Sequence, residues 1–218
     1  MSRRLRRALA GAAVLVGAVA ALRSSALQRA DVRLGDAVRR VDGPVAGTAV
    51  TATTDLGSLY AVAGISGVLA LKGQHRAAVD VAVAGLAGWT VAQWAKRGVE
   101  RERPYQADGV RRLIREPTGS SFPSGHAAVA TAVAAVLADH GPPGRRALPY
   151  GVAAYVAASR VHLGVHYPTD VVGGAGLGLL LAAAYDGRAR AAAHSLVTSG
   201  RWPGVGDQGG AGLPNPTR

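Results

Sequence analysis

The stretch SRVHLGVHYPTD, Ser159 to Asp170, holds one arginine, two histidines and one aspartate within twelve residues. Apolar runs rich in Ala and Gly lie on either side, Ala147–Ser159 before it and Val171–Tyr185 after it. Charge between two apolar runs either caps helix ends or does chemistry. Pro168 with Asp170 just behind it is ordinary grammar for a helix start. His162 and His166 stand four residues apart, the spacing of a metal pair on a helix. However, HLGVH lacks the glutamate of a zinc-protease motif, and Gly164 argues against a regular helix there. No metal is expected, and His162 reads as a structural or supporting group.

Two further segments carry unusual polar residues. KRGVERERP, Lys96 to Pro104, opens a long loop rich in Arg and Pro, and FPSGH, Phe122 to His126, closes it at the start of the next apolar run. Two arginines and a lysine can hold a dianionic group, Arg through a planar fork and Lys as a point charge. PSGH at a helix start offers free backbone N–H groups and the positive end of the helix dipole. A histidine followed four residues later by Asp suggests an imidazole oriented through Nδ1 by a carboxylate. A second histidine can protonate a leaving oxygen. Phosphoryl transfer needs such a set: an in-line nucleophile, an acid opposite it, and positive donors around the equatorial oxygens. Simpler readings exist for single members. Ser124 can serve as an N-cap, and Arg97 and Arg101 read as a solvated part of the charge run. His75, His140 and His194 fall in loops or near helix ends and read as structural.

The rest of the chain fixes the setting. Of its 218 residues, 49% are hydrophobic and only 17% charged, below the share usual in soluble domains. A formal net charge of +12 suits an anionic partner: nucleic acid, an acidic membrane surface or a phosphorylated substrate. With a single Phe, base-stacking platforms are hard to build, so nucleic acid is set aside. The lack of cysteine removes disulfides and thiolate metal sites.

Six apolar runs follow one another: Ala8–Leu22, Leu56–Leu71, Val81–Ala95, Ala127–Ala138, Ala147–Ser159 and Val171–Tyr185. Several are shorter than the ~20 residues that span a bilayer, but they are apolar all round and rich in small residues, which suits helix packing in lipid. The first, behind MSRRLRR, reads either as a signal peptide or as a membrane helix with a cytoplasmic N terminus. The poor cleavage site in ALRSSALQ favours the helix. Residues 23–42 alternate charged and apolar positions, with Leu27, Ala30, Leu34, Ala37, Val38 and Val41 on one helical face, as in a helix lying in the membrane interface. Residues 43–187 form the expected core. Residues 188–218, Gly- and Pro-rich from Gly200, are expected to be a disordered tail. The basic clusters at Ser2–Arg7, Lys72–Arg76, Arg145–Arg146 and Arg188–Arg190 share one side of a six-helix layout, the cytoplasmic side by the positive-inside rule. The loops Lys96–Ser121 and Arg160–Asp170 share the other.

Taken together, the three blocks resemble the signature of the type 2 phosphatidic acid phosphatase (PAP2) superfamily, which spans lipid phosphatases and vanadium haloperoxidases. Its pattern is Lys-x6-Arg-Pro, Pro-Ser-Gly-His and Ser-Arg-x5-His-x3-Asp, and each position is matched in order between Lys96 and Asp170. The resemblance implies an all-α fold, an integral membrane six-helix bundle in the cell membrane with its site on the non-cytoplasmic face. It implies that His166 attacks phosphorus, Asp170 orients it, and His126 protonates the leaving oxygen and then activates water. Lys96, Arg103, Ser124, Gly125 and Arg160 would hold the phosphate, and no cofactor is needed. Substrates would be lipid phosphates or diphosphates: polyprenyl diphosphate, phosphatidic acid or phosphatidylglycerol phosphate. The alternatives are a haloperoxidase-like enzyme and a non-catalytic lipid-binding membrane protein. Nothing in the sequence bears on oligomeric state.

Overall fold

A computed structural model describes residues 1–40 and 50–198, and all of its regular structure is helical. Serines start the helices where the sequence leaves free N–H groups. Ser2 caps α1 (Arg3–Ala21) by accepting from Leu5 N, and Ser24 caps α2 (Ser25–Arg39) by accepting from Leu27 N. A 3-10 turn, Thr54–Gly57, leads to α3 (Leu59–Leu71), and α4 runs from His75 to Ala95. A short α5 (Pro104–Ala107) sits in the long loop. Then come α6 (Gly125–His140), α7 (Ala147–His162), α8 (Pro168–Tyr185) and α9 (Arg188–Thr198).

The core is built around α6. From Ala127 to Val136 every residue of this helix is buried, against α4, α7 and α8. Alanines make that possible, because small side chains let several backbones approach one helix at once. The tightest approach is to α8. A Cβ at Gly178 would lie 2.6 Å from the Ala128 carbonyl oxygen, and one at Gly174 would collide with that of Ser124. These glycines therefore set how closely the start of α6 meets the start of α8, where two of the three sequence blocks lie.

Three places bear on the sequence reading. First, α2 is helical, with Leu27 and Leu34 of its apolar stripe about half exposed and Val38 packed on the core, while Asp31 and Gly35 are buried against the bundle. Val41, the last residue of that stripe, lies outside the described residues, as do residues 43–49 of the expected core. Second, Arg188–Thr198, assigned to the tail, is helical and packs on α4 and α8. Its Arg190 and His194 pair with the buried Asp80, which composition alone does not show. Residues 199–218 lie outside the described residues. Third, among the described helices only α8 is by itself long and apolar enough to cross a membrane. Two bent pairs, α1 with α2 at 102° and Val50–Gly57 with α3 at 72°, bring this to three if each counts as one span. Each of the six apolar runs is helical, but the count of membrane spans is not settled by length and composition.

Candidate active site

The three blocks converge. One cavity of about 500 Å3 is lined by Lys96, Arg103, Gly125, His126, Arg160 and His166, together with Trp89, Tyr60 and Leu59. Lys96 sits just past the end of α4, Arg103 just before α5, Gly125 and His126 open α6, Arg160 is in the last turn of α7, and His166 lies in the loop before α8. That loop exists because α7 ends at His162. Gly164 takes a φ of +72°, which only glycine adopts freely, and turns the chain away. His162 and His166 are thus not on one regular helix, and among the described residues no cluster of metal-binding side chains occurs.

His166 is buried, 2% exposed. Its Nε2 lies 3.4 Å from Arg103 Nη1, and its Nδ1 lies 3.5 Å from Asp170 Oδ2, an ion-pair distance at which no hydrogen bond is formed. Arg can only donate, so the tautomer that suits both neighbours carries its proton on Nδ1 and leaves the Nε2 lone pair free. Burial holds the imidazole well below its usual range, at about 4. Asp170 opposes that shift, and Arg103 and Lys96 add to it. The ring is therefore neutral, as a nucleophile must be.

Asp170 caps a helix and also faces His166. As the third residue of α8, its Oδ2 accepts from Tyr167 N at 2.8 Å and caps the helix. The same oxygen faces His166 and accepts from the Ser121 hydroxyl. Its other oxygen accepts from Arg101 Nη1 at 2.6 Å. Here the sequence reading needs correction: Arg101 is not a solvated charge. Its guanidinium also donates to Asp31 Oδ2 at 2.7 Å and stacks over the Tyr167 ring at 4.1 Å. Asp31 in turn accepts from Thr169 N at 2.8 Å. Arg101, Asp31 and Ser121 were missed because each pairs with residues distant in sequence. Asp31, one of two acids on an otherwise basic helix, was the available signal.

The cationic residues differ in how free they are. All five N–H groups of Arg103 have acceptors: Nε meets Gly119 O, Nη2 meets Thr118 O and Ser120 O, and Nη1 meets Val165 O and His166. Arg160 gives Nη1 to Thr54 Oγ1 at 3.1 Å, and its buried Nε has no partner among the described residues. Lys96 makes no ion pair among them. Burial, then the charge of Arg103, lowers its ammonium to about 8, with Asp170 opposing. Ser124 is fully buried, does not line the cavity, and uses its hydroxyl oxygen to accept from Ala127 N as the N-cap of α6. Gly125, beside it, does line the cavity.

Comparison with known proteins agrees with this geometry. A family model described as the PAP2 superfamily matches residues 77–187. The chain is 39% identical over 110 residues to decaprenylphosphoryl-5-phosphoribose phosphatase of Mycolicibacterium smegmatis, covering 50% of this chain and 58% of that protein. The protein of the same description from Mycobacterium tuberculosis is 34% identical over 140 residues, 61% of this chain and 75% of its own length. Among solved structures, a transmembrane PAP2-type phosphatidylglycerolphosphate phosphatase from Bacillus subtilis superposes with a TM-score of 0.62 at 26% identity, covering 87% of this chain and 96% of that one.

Proposed function

The chain belongs to the PAP2 superfamily, and from that premise we propose that it is a multi-pass membrane phosphatase that hydrolyses lipid phosphates through a phosphohistidine. The observation that carries this reading is the single cavity that gathers Lys96, Arg103, His126, Arg160 and His166. His166 Nε2 attacks phosphorus while Asp170 holds Nδ1–H. His126 gives a proton to the departing lipid oxygen and then takes one from the water that frees the phosphate. Lys96, Arg160 and the Gly125 backbone hold the phosphoryl oxygens, and the Arg103 donor now turned to His166 Nε2 is the one placed to join them. Ser124 contributes by capping α6.

A lipid is the expected substrate because the cavity is two-sided. Its lining combines the cations with Leu59, Tyr60 and Trp89, which suits a charged headgroup on an apolar chain. Val16, Val68, Leu71, Leu86, Trp94 and Leu148 are exposed on the flanks of the bundle, as apolar residues facing lipid would be. On this reading α2 lies along the membrane surface with Leu27 and Leu34 directed into it, and the site opens on the non-cytoplasmic face. Among lipids, a polyprenyl-linked phosphate comes first, since the mycobacterial relatives carry decaprenylphosphoryl-5-phosphoribose in their names. Phosphatidylglycerol phosphate and phosphatidic acid follow.

The test is release of inorganic phosphate by purified protein in detergent, with chelator present. The panel is a polyprenyl phosphate, a polyprenyl diphosphate, phosphatidylglycerol phosphate, phosphatidic acid and a soluble ester. Turnover by the wild type should fall by about 10^4-fold or more in His166→Ala. Equal rates for the two proteins would reject the assignment.

A further inference from the structure

Asp55 is the one charged residue in the run from Gly43 to Leu71, and none of the three sequence blocks uses it. It sits in the turn Thr54–Gly57, which three contacts join to the site. Thr54, buried, accepts from Arg160 Nη1 at 3.1 Å and shares a 2.9 Å hydrogen bond with Ser159 Oγ. Gly57 lies against the first turn of α6, where a Cβ would stand 2.7 Å from the His126 carbonyl oxygen. Asp55 Oδ1 lies 3.7 Å from His126 Nε2, an ion-pair distance rather than a hydrogen bond.

The charge around His126 gives that distance its meaning. Burial holds this imidazole far below its usual range, at about 3, and Arg160 on α7, His166 before α8, Lys96 at the end of α4 and Arg103 before α5 add to the shift, so without a bound anion the ring is neutral. Among the described residues, Asp55 is the carboxylate within ion-pair reach of it. An imidazole that is to give up a proton must first hold one, and this cradle otherwise repels it.

We infer that Asp55 is a positioning residue for proton donation: once a phosphate dianion offsets the cations of the cradle, its carboxylate favours the imidazolium form of His126, while Thr54 in the same turn steadies Arg160. This rests on the phosphatase reading above. In the first half-reaction the bond from Nε2 of His166 to phosphorus forms as the P–O bond to the lipid breaks, and the lipid oxygen takes the proton of His126. In the second, His126 removes a proton from water, the water oxygen bonds to phosphorus, and the N–P bond breaks. Asp55 exchanges no atom and no proton. It acts by charge, from a position open to solvent that screens the effect.

The experiment compares phosphatidic acid, whose leaving oxygen needs a proton, with p-nitrophenyl phosphate, whose leaving group does not. In Asp55→Asn, kcat for phosphatidic acid should fall about five- to tenfold, as expected for a unit charge at this distance in water, while kcat for the nitrophenyl ester stays within about twofold. The upper limb of the kcat–pH profile for phosphatidic acid should move to lower pH, and Asp55→Glu should restore both. An equal loss on the two substrates, or an upper limb that does not move, overturns the inference. Wild type and His126→Ala run alongside. If the wild type turns over neither substrate, the phosphatase reading fails and takes this inference with it. If His126→Ala is selective for the lipid and Asp55→Asn is not, the role of Asp55 alone fails.

Discussion

At one end of the bundle Asp80 and Asp139 are surrounded by Arg3, Arg7, Arg190, His140 and His194; at the other, Lys96, Arg103 and Arg160 surround His126 and His166. The first set is neutralised. Asp80, 0% exposed, accepts from Tyr185 Oη at 2.8 Å and from His140 Nε2, His194 Nε2 and Arg190 Nε at 2.7 Å. Asp139 accepts from Arg7 Nη1 at 2.8 Å, from Arg190 Nη1 at 3.0 Å and from Arg3. The second set is not. Arg160 and Lys96 have no carboxylate within ion-pair distance among the described residues, and Arg103 rests on backbone carbonyls. Charge taken from water without a counter-ion costs stability. Its presence at one end, in a chain that neutralises the other, is what the proposed function requires, with a substrate anion supplying the missing charge.

The largest effect should come from breaking the neutral end. Asp80→Ala leaves Arg190 and two histidines facing an empty site, and a broken buried pair costs on the order of 3–5 kcal/mol. Thermal unfolding in detergent should show that loss, with kcat/KM per folded molecule unchanged. Arg160→Met at the other end should do the reverse, keeping the melting temperature and lowering kcat/KM on the order of 10^2-fold. Similar melting temperatures for the two variants would erase the contrast.

A smaller effect tests how the two ends differ within one residue. Arg101 is the neutralised cation of the cavity end, shared between Asp31 and Asp170, the proposed orienter of His166. It touches no substrate, so Arg101→Gln should act through the aim of His166. We expect kcat to fall on the order of 10–100-fold with KM nearly unchanged, since small misplacements of a reacting group cost that much. Asp31→Asn should move kcat the same way and less. A rise in KM at constant kcat would instead place Arg101 on the phosphate.

The same contrast explains what could be read from the sequence. The blocks that meet at the cavity are short, polar and local, and residue type and spacing alone mark Lys96, Arg103, His126, Arg160, His166 and Asp170. The helices were legible as apolar runs. What was hidden is long-range pairing. Asp31 and Arg101 meet across 70 positions, and Asp80 meets Arg190 across 110. An acid on a helix looks solvated until its partner is found. Asp55 stood out as a solitary charge, but only the packing of Gly57 on His126 shows which residue it serves. Alanine and glycine also blur the membrane signal. They build the close crossings around α6 yet carry little hydropathy, so most helices fall short of a clear span.

The smallest effect is in pH, and its sign distinguishes a site kept for a ligand from one built for stability. In the empty site Lys96 is held at about 8 rather than 10.5, and His166 at about 4 rather than 6.5. Since kcat/KM reports the free enzyme, it should fall below pH 4 as His166 takes up a proton and above pH 8 as Lys96 loses one. Because a guanidinium stays charged there, Lys96→Arg should remove the part of the fall above pH 8 that Lys96 sets and leave the part set by His126. The comparison of the two proteins also subtracts the ionisation of the substrate itself. Stability should follow another course. Both groups bind fewer protons folded than unfolded, between pH 4 and 6.5 for His166 and between 8 and 10.5 for Lys96, so stability rises with pH across each window. From pH 8 to 10.5 the empty wild type should therefore gain in melting temperature relative to Lys96→Arg while it loses kcat/KM. If both quantities fall together in that window, Lys96 is paired after all, and the charge at the active end is not waiting for phosphate.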